Sequence, residues 1–274
     1  MNSRKKLSTL FDKHQHWLAI TGAGISVDSG IPTYRDAAGN WLRSDPIKHQ
    51  EFIQHEYMRK RYWTRSIVGW PPVSTARPNK VHELLVQLER QGSVTHLITQ
   101  NVDRLHQKAG HQKVVDLHGR LDRVVCLSCN RYEERDQLQL RLLALNPYLQ
   151  TLEQRETITR TPDGDALVED ELSQQLKPAT CLHCGGTLMP DVVFFGGMLL
   201  PQVREQSLEL VNQCDALLVC GSSLMVFSAY RLCKLAVSSK KPLVIINQGV
   251  TRGDSIASLK IAEDCAMTLQ ALVN

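Results

Sequence analysis

Residues 17–36 read WLAITGAGISVDSGIPTYRD. An apolar run, Trp17–Thr21, leads directly into Gly22-Ala23-Gly24. A buried strand enters a loop this way when backbone amides must approach a phosphate. The following residues break the pattern of a simple dinucleotide fold. Val27 stands where a third glycine belongs, and Gly30 and Pro32 interrupt the helix that should follow. No acidic residue closes a second strand at the usual distance for a ribose. Taken alone, the loop reads either as a nucleotide cradle of altered form or as a tight strand-to-helix turn without a ligand.

Four further runs rich in Val, Ile and Leu read as buried parallel strands: Val94–Thr99, 113–117, Ala216–Cys220 and 242–247. Helical patterns lie among them. Lys80–Arg90 carries apolar residues at 81, 84, 85 and 88, one helix face, and 202–212 and 230–237 read similarly. The alternation predicts an α/β chain built on a Rossmann-like, doubly wound parallel sheet. Two stretches fall outside the rhythm. Residues 37–75, with Trp41, Tyr57, Tyr62, Trp63, Trp70 and Pro71-Pro72, read as short helices and loops. Residues 119–190 hold two cysteine pairs around a long charged segment. The expected organisation is a nucleotide-binding domain from 1–36, 76–118 and 191–274, with a smaller inserted zinc-binding and helical lobe from 37–75 and 119–190.

Composition narrows the class. The chain has 274 residues, with 42% apolar, 22% charged and 5% aromatic side chains, as a soluble globular enzyme does. A net charge of +4 with scattered basic residues gives no case for nucleic acid. The opening residues MNSRKKLSTLFDKHQHW lack the apolar core of a signal peptide, and no run reaches membrane-spanning length. Eight cysteines without a secretory signal point to a reducing compartment. The expectation is a cytoplasmic enzyme, by default a monomer, with neither nucleic acid nor membrane as partner.

Cys126-Leu-Ser-Cys129 and Cys181-Leu-His-Cys184-Gly-Gly are two knuckles, each able to aim two thiolates at one metal. Four thiolates match the tetrahedral preference of zinc and leave no open position, so the ion would be structural. Two more small-residue turns follow predicted strands: Gly221-Ser222-Ser223 and Asn247-Gln248-Gly249. With Gly22-Ala23-Gly24 they sit at the carboxyl ends of parallel strands, where open α/β sheets bind ligands. Thr99-Gln100-Asn101-Val102-Asp103 and Asp116-Leu117-His118-Gly119 end the two middle strands. They bring an amide, a carboxylate and an imidazole to the same edge, and His118 is the group suited to taking a proton near neutral pH.

Together these motifs resemble the sirtuins, NAD-dependent protein lysine deacylases. The resemblance rests on Gly22-Ala23-Gly24-Ile25-Ser26, Gly30-Ile31-Pro32, Tyr34-Arg35, residues 99–103, His118-Gly119, the two knuckles, Pro190-Asp191-Val192-Val193-Phe194-Phe195-Gly196 and Gly221-Ser222-Ser223-Leu224. It runs from about residue 17 to the C-terminus in the family's order. Arg61-Tyr62-Trp63, Val68-Gly69-Trp70-Pro71 and Thr251-Arg252-Gly253-Asp254 make it most similar to the class II branch, which includes lipoamidase-type members.

The resemblance implies that NAD is consumed as a co-substrate. The acyl-lysine oxygen attacks the ribose carbon as nicotinamide leaves, giving free lysine and O-acyl-ADP-ribose. His118 would be the general base and Asn101 would position ribose and water. Asp103 and Ile31 would hold nicotinamide, with Ser26, Pro32 and Gln100 beside them and Tyr34 and Arg35 on a closing loop. Gly22, Ala23, Gly24, Gly221, Ser222 and Ser223 would line phosphates and ribose. Asn247, Gln248, Gly249 and Cys265 would meet the adenosine. A peptide substrate would add as a strand between Val193, Phe194, Phe195, Gly196 on one side and Leu224, Val226 on the other. Tyr62 and Arg65 match a Tyr-x-x-Arg pair that reads acidic acyl groups, so longer or acidic acyls are expected besides acetyl. The alternative is mono-ADP-ribosyl transfer to protein. Asp36 and Gly197 depart from the family's pattern.

Overall fold

The computed structural model describes residues 3–36, 38–42, 46–153, 163–166 and 168–273. Its strands are β1 (Trp17–Thr21), β2 (Val94–Thr99), β3 (Val114–Asp116), β4 (Gly119–Cys126), β5 (Tyr132–Glu134), β6 (Leu188–Val192), β7 (Ala216–Cys220), β8 (Leu243–Ile246) and β9 (Leu259–Ile261). Six form a parallel sheet in the order β3-β2-β1-β7-β8-β9. The chain winds one way through β1, β2 and β3 and the other way through β7, β8 and β9. The direction reverses between β1 and β7, which opens a crevice at their carboxyl ends.

Side-chain alternation explains both faces of this sheet. Trp17 and Ala19 of β1 point to one side, where Val81, Leu84, Leu85 and Leu88 of helix Lys80–Arg90 cover them. Leu18 and Ile20 point to the other, against Leu210 and Val211 of helix Pro201–Gln213 and Leu232, Cys233 and Ala236 of helix Phe227–Ser238. Because both faces are covered, β1 and β7 are buried along their whole length. That is why they read as unbroken apolar runs.

The second sheet is antiparallel, β5-β4-β6, and carries the cysteine knuckles at its end. Sequence periodicity did not reveal it, nor the terminal helices Ser3–Lys13 and Cys265–Val273. The runs at 113–117 and 242–247 shorten to β3 and β8. Residues 37, 43–45, 154–162 and 167 lie outside the described residues, so the expected lobe of 37–75 and 119–190 is described only in part.

One expectation is corrected. Much of 37–75 is a single helix, Glu56–Thr75, running through Pro71 and Pro72. A proline in a helix leaves the carbonyl four residues earlier without its N–H partner. Here the Ile67 carbonyl accepts instead from Gln139 Nε2 at 2.8 Å, and the adjacent Ser66 carbonyl accepts from Arg135 Nη2 at 3.1 Å. Both donors come from helix Arg135–Leu145; the Gln139 contact replaces the bond that Pro71 forfeits at Ile67, and Arg135 adds a further tie at Ser66.

The two sheets meet at His118-Gly119. Gly119 opens β4 and pairs with Val192, while Val193 N–H donates to the His118 carbonyl at 2.8 Å. Gly119 has φ 82, and a Cβ there would lie 2.2 Å from the Asp191 carbonyl oxygen. Gly119→Ala is therefore expected to cost at least about 2 kcal/mol, lowering Tm by roughly 4 °C or more, from backbone strain and the forced separation of β4 and β6. Thermal unfolding followed by circular dichroism measures it.

Candidate active site

A cavity of about 690 Å³ lies at the carboxyl ends of β1, β2, β7 and β8, a size typical of small-molecule sites. Its floor is where the first and fourth strands of the parallel sheet hand over to their loops. Gly22 N–H donates to the Cys220 carbonyl at 3.3 Å and Gly24 N–H to the Gly221 carbonyl at 2.8 Å. A Cβ on Gly24 would fall 2.7 Å from Gly221 O, and one on Gly22 the same distance from Ser222 Cβ. Gly221, at φ 58, would clash with the Ile25 amide at 2.6 Å. The glycines therefore let two backbones touch. After them the chain makes a 3₁₀ turn, Ala23–Ser29, closed by Gly30 in the left-handed region at φ 82. The break that looked like a damaged helix is a tight turn that directs residues 31–36 back over the cavity.

Polar side chains from β2 and its loop form a connected floor. Gln100 Nε2 donates to Ser222 Oγ at 2.8 Å and to the Thr21 carbonyl at 3.1 Å. Asn101 Nδ2 donates to the Gly22 carbonyl and to Ser26 Oγ, both at 3.1 Å. A carbonyl can only accept, so this fixes the amide's orientation and leaves the Asn101 side-chain oxygen for a ligand. Ser26 Oγ in turn donates to Asp103 Oδ2 at 2.7 Å, and Asp103 Oδ1 accepts from Leu105 N–H at 2.9 Å. Burial raises the Asp103 carboxyl, and these hydrogen bonds oppose the rise.

His118 is fixed by the same logic. Nδ1 lies 3.1 Å from the Gln100 carbonyl oxygen and Nε2 lies 2.8 Å from Ser228 Oγ. Nδ1 must carry the proton, because a carbonyl offers none, and Nε2 then accepts from the Ser228 hydroxyl. Burial pushes the His118 pKa below its ordinary 6.5, with the Gln100 bond pulling the other way. The ring is a neutral base with its lone pair on the cavity side. Ser228 was not singled out in the sequence, where a serine near a helix start carries no distinguishing signal.

A second set of contacts holds this floor from below. His106 Nε2 lies 2.9 Å from Thr21 Oγ1, which donates to Thr99 Oγ1 at 3.0 Å. Thr99 Oγ1 also accepts from the Asn101 backbone N–H at 3.1 Å. Since the Thr21 proton is committed to Thr99, His106 Nε2 is the donor. His82 and His111 flank His106, tilted and edge-on respectively, each with ring centroids 4.9 Å away. Burial lowers the pKa of all three, so they are scaffold histidines kept neutral.

Residues 34–36 and 39–42, expected as part of a closing loop, pair with each other at the rim of the cavity. Asp36 Oδ1 accepts from Asn40 N–H at 2.9 Å, Asp36 N–H donates to the Asn40 carbonyl at 3.0 Å, and Leu42 N–H donates to the Tyr34 carbonyl at 2.9 Å. The Asn40 backbone N–H, and then its side-chain amide, donate to the carboxylate and hold the Asp36 carboxyl below its usual range. Asp36, unexplained by sequence, is the clamp of this turn. Arg35 lies over the Trp41 ring at 4.2 Å and donates to the Gly39 carbonyl at 2.7 Å. Among the described residues lining the cavity Arg35 is the only arginine or lysine, whereas Asp28, Asp36, Asp103, Asp163, Asp165, Glu263 and Asp264 are acidic. An anionic ligand must then be held mostly by backbone N–H groups and the start of the 3₁₀ turn.

The remaining expected residues divide. Gly22, Ala23, Gly24, Ser26, Ile31, Tyr34, Arg35, Ser222, Ser223, Asn247, Gln248, Gly249 and Cys265 line this one cavity with Gln100, Asn101, Asp103 and His118. So do Val193, Phe194, Phe195, Gly196, Val226 and Tyr62. Pro32, Leu224 and Arg65 do not. Leu224, at φ 55, turns its side chain into the core beneath the sheet. Arg65 is 6% exposed and paired with Asp165, Nη2 to Oδ2 at 2.6 Å. Asp163 and Asp165 reach the cavity from the long segment between the knuckles, whose charged, aperiodic sequence gave no hint of it.

Away from the cavity, Cys126, Cys129, Cys181 and Cys184 bring their sulfurs within 4.8 Å of one another. Cys126 and Cys184 Sγ are 3.5 Å apart, Cys129 and Cys181 Sγ 3.7 Å. Four sulfurs at about 2.3 Å from a zinc ion would stand about 3.8 Å apart, so the cluster fits that metal. Gly186 lets the second knuckle close on the first, since a Cβ there would meet Ser128 Oγ at 2.4 Å.

A model of the Sir2 family matches residues 22–228. The chain is 42% identical over 271 residues to the NAD-dependent protein deacetylase 2 of Bradyrhizobium diazoefficiens, covering 99% of this chain and 98% of that one. It is 43% identical over 268 residues to the mitochondrial NAD-dependent protein lipoamidase sirtuin-4 of Bos taurus, covering 97% and 84%. Among solved structures, Sir2 with a p53 peptide and NAD+ superposes with TM-score 0.75 at 30% identity, covering 98% and 96%. Sir2Tm bound to a propionylated peptide gives 0.74 at 29%, covering 97% and 95%.

The four-sulfur cluster carries a direct test. The protein as purified is expected to hold one zinc ion per chain by elemental analysis. Removing it with a chelator, or replacing Cys126 by serine, which leaves three sulfur ligands, is expected to lower Tm and to melt the antiparallel sheet, because the binding free energy of the ion is then lost from the folded state.

Proposed function

This chain belongs to the Sir2 family, and from that premise we propose that it is an NAD-dependent protein lysine deacylase that releases nicotinamide and O-acyl-ADP-ribose. The observation that carries this reading is the neutral His118, its Nε2 lone pair on the wall of the cavity that also holds the paired glycine loops. Moving an acyl group onto a ribose hydroxyl requires a base to take the hydroxyl proton, and a neutral imidazole in this position can do so.

Bound NAD supplies a ribose whose bond to nicotinamide can be broken, with the acyl-lysine oxygen as the incoming group. The chain's own part is binding, orientation and proton transfer. The N–H groups of Gly22 and Gly221 are committed to the Cys220 and Ile246 carbonyls, so the backbone at Ala23 and at Ser222-Ser223 would hold the pyrophosphate, with Arg35 the one arginine or lysine among the described lining residues. Asn101 presents its side-chain oxygen to a ribose hydroxyl or a water. Asp103, fixed by Ser26 and Leu105, and Ile31 receive the nicotinamide end. His118 Nε2 takes the proton from a ribose hydroxyl once Ser228 turns its own hydroxyl away. The hairpin clamped by Asp36 covers the site and excludes water, which would otherwise intercept the reacting carbon.

An extended acyl-lysine peptide lies between the segment at 193–196 and Val226, with its acyl group toward Phe194 and Tyr62. Those two rings are 5.2 Å apart and form an apolar wall that suits acetyl and longer acyl groups. The four-thiolate site suits a reducing compartment such as the cytoplasm.

With NAD and an acetyl-lysine peptide, His118→Ala is expected to reduce kcat by about 100-fold or more, the usual share of a general base. The wild-type rate is expected to fall on the acid side as Nε2 gains a proton. Because burial lowers the His118 pKa, the midpoint of that limb should lie below 6.5. Nicotinamide release measured across pH checks both. An unaltered rate in the variant contradicts the assignment.

A further inference from the structure

We propose that Asp165 is a built-in specificity residue: it occupies the guanidinium of Arg65 behind the acyl wall and so directs the site to neutral acyl groups and against those ending in a carboxylate. This rests on the deacylase reading. Three observations carry it. Arg65 is buried on helix Glu56–Thr75, one turn beyond Tyr62, and has no face on the cavity. Its Nη2 meets Asp165 Oδ2 at 2.6 Å and its Nε donates to the Ala166 carbonyl at 3.0 Å. Asp165 itself, together with Asp163, does line the cavity beside Tyr62.

An incoming carboxylate would therefore meet two acidic side chains in front of one arginine. To reach Arg65 it must displace Asp165 from a buried ion pair, and burying an unpaired charge is costly. The field is already negative there: burial first, then the charges of Asp163 and Asp165, raise the Tyr34 hydroxyl pKa well above its ordinary value. A neutral acyl chain asks for no such exchange and packs on Tyr62 and Phe194.

The segment carrying Asp165 is seated, not merely near. A Cβ on Gly69 would lie 2.3 Å from the Gly164 carbonyl oxygen and 2.7 Å from the Asp165 carbonyl carbon. Gly164 takes φ 67 to make the bend. The glycine in the helix lets the loop backbone lie flat on it, and this aims Asp165 at Arg65. Gly69 is thus a positioning residue for the pair.

The test compares one peptide carrying acetyl-lysine or glutaryl-lysine, with the full chain. Turnover is read as nicotinamide release, and peptide affinity by calorimetry without NAD. Wild type is expected to favour acetyl over glutaryl by at least tenfold in kcat/KM. Asp165→Asn, which keeps the shape and removes the charge, should narrow that ratio at least tenfold by raising the glutaryl value, and Asp165→Asn with Arg65→Met should lose the gain. Gly69→Ala, which unseats the loop, should shift the ratio the same way. A wild type that prefers glutaryl, or a ratio unchanged in Asp165→Asn and Gly69→Ala, overturns the proposal. If no acyl peptide releases nicotinamide, the deacylase reading fails instead. The calorimetric ratio then decides: a glutaryl gain in Asp165→Asn supports the gate, and its absence overturns it.

Discussion

Two backbones touch where no side chain would fit. The contact of the Gly22–Gly24 loop with Gly221 and Ser222 joins the carboxyl ends of β1 and β7 at the point where the sheet reverses direction. Every other part of the site is placed relative to it. Gln100 and Asn101 hydrogen bond to the groups that this contact positions: Ser222 Oγ, the Thr21 carbonyl and the Gly22 carbonyl. His118 then takes its orientation from the Gln100 carbonyl. His118, the proposed base, is thus tied through Gln100 to the glycine contact in the middle of the sheet. A pocket assembled this way is preorganised, and preorganised dipoles do not have to rearrange as charge moves during reaction.

The site also depends on how the second sheet is attached. His118 and Gly119 are consecutive, yet one ends in the parallel sheet's polar rim and the other opens the antiparallel sheet. The zinc-fitting cysteines stabilise the far end of that sheet. Helix Glu56–Thr75, held by Gln139 and Arg135, brings the acyl wall to its near side. A zinc ion there would have a part in function without any part in chemistry: it would tie the end of the antiparallel sheet to the small lobe's core around Phe52, Trp63, Val124 and Leu138.

The strongly legible parts of the sequence were those with one dominant cause. β1 and β7 match the sequence reading to the residue because strands buried on both faces are continuous apolar runs, and β2 matches it too although Thr95 and His96 are only half-buried. Lys80–Arg90 was read equally well from its single apolar face. The cysteine knuckles follow from spacing alone. What stayed hidden was set by tertiary contact. The helix through Pro71 and Pro72 exists because another helix supplies the missing donor. Strands β5 and β9, three residues each, are too short for any periodicity. The Asp163 and Asp165 carboxylates come from an aperiodic segment, and the pairing that takes Arg65 off the cavity wall is visible only in three dimensions. Asp36 shows the converse: an anomaly in the motif became an ordinary turn clamp once its partner Asn40 was known.

The central claim is that this cavity consumes NAD in step with acyl removal. The most direct measurement is a stoichiometric one, by mass spectrometry, on an acetyl-lysine peptide with the intact chain and NAD. The account predicts one nicotinamide released for each lysine freed, with the acetyl group recovered on ADP-ribose. Free acetate appearing while NAD stays intact would contradict it.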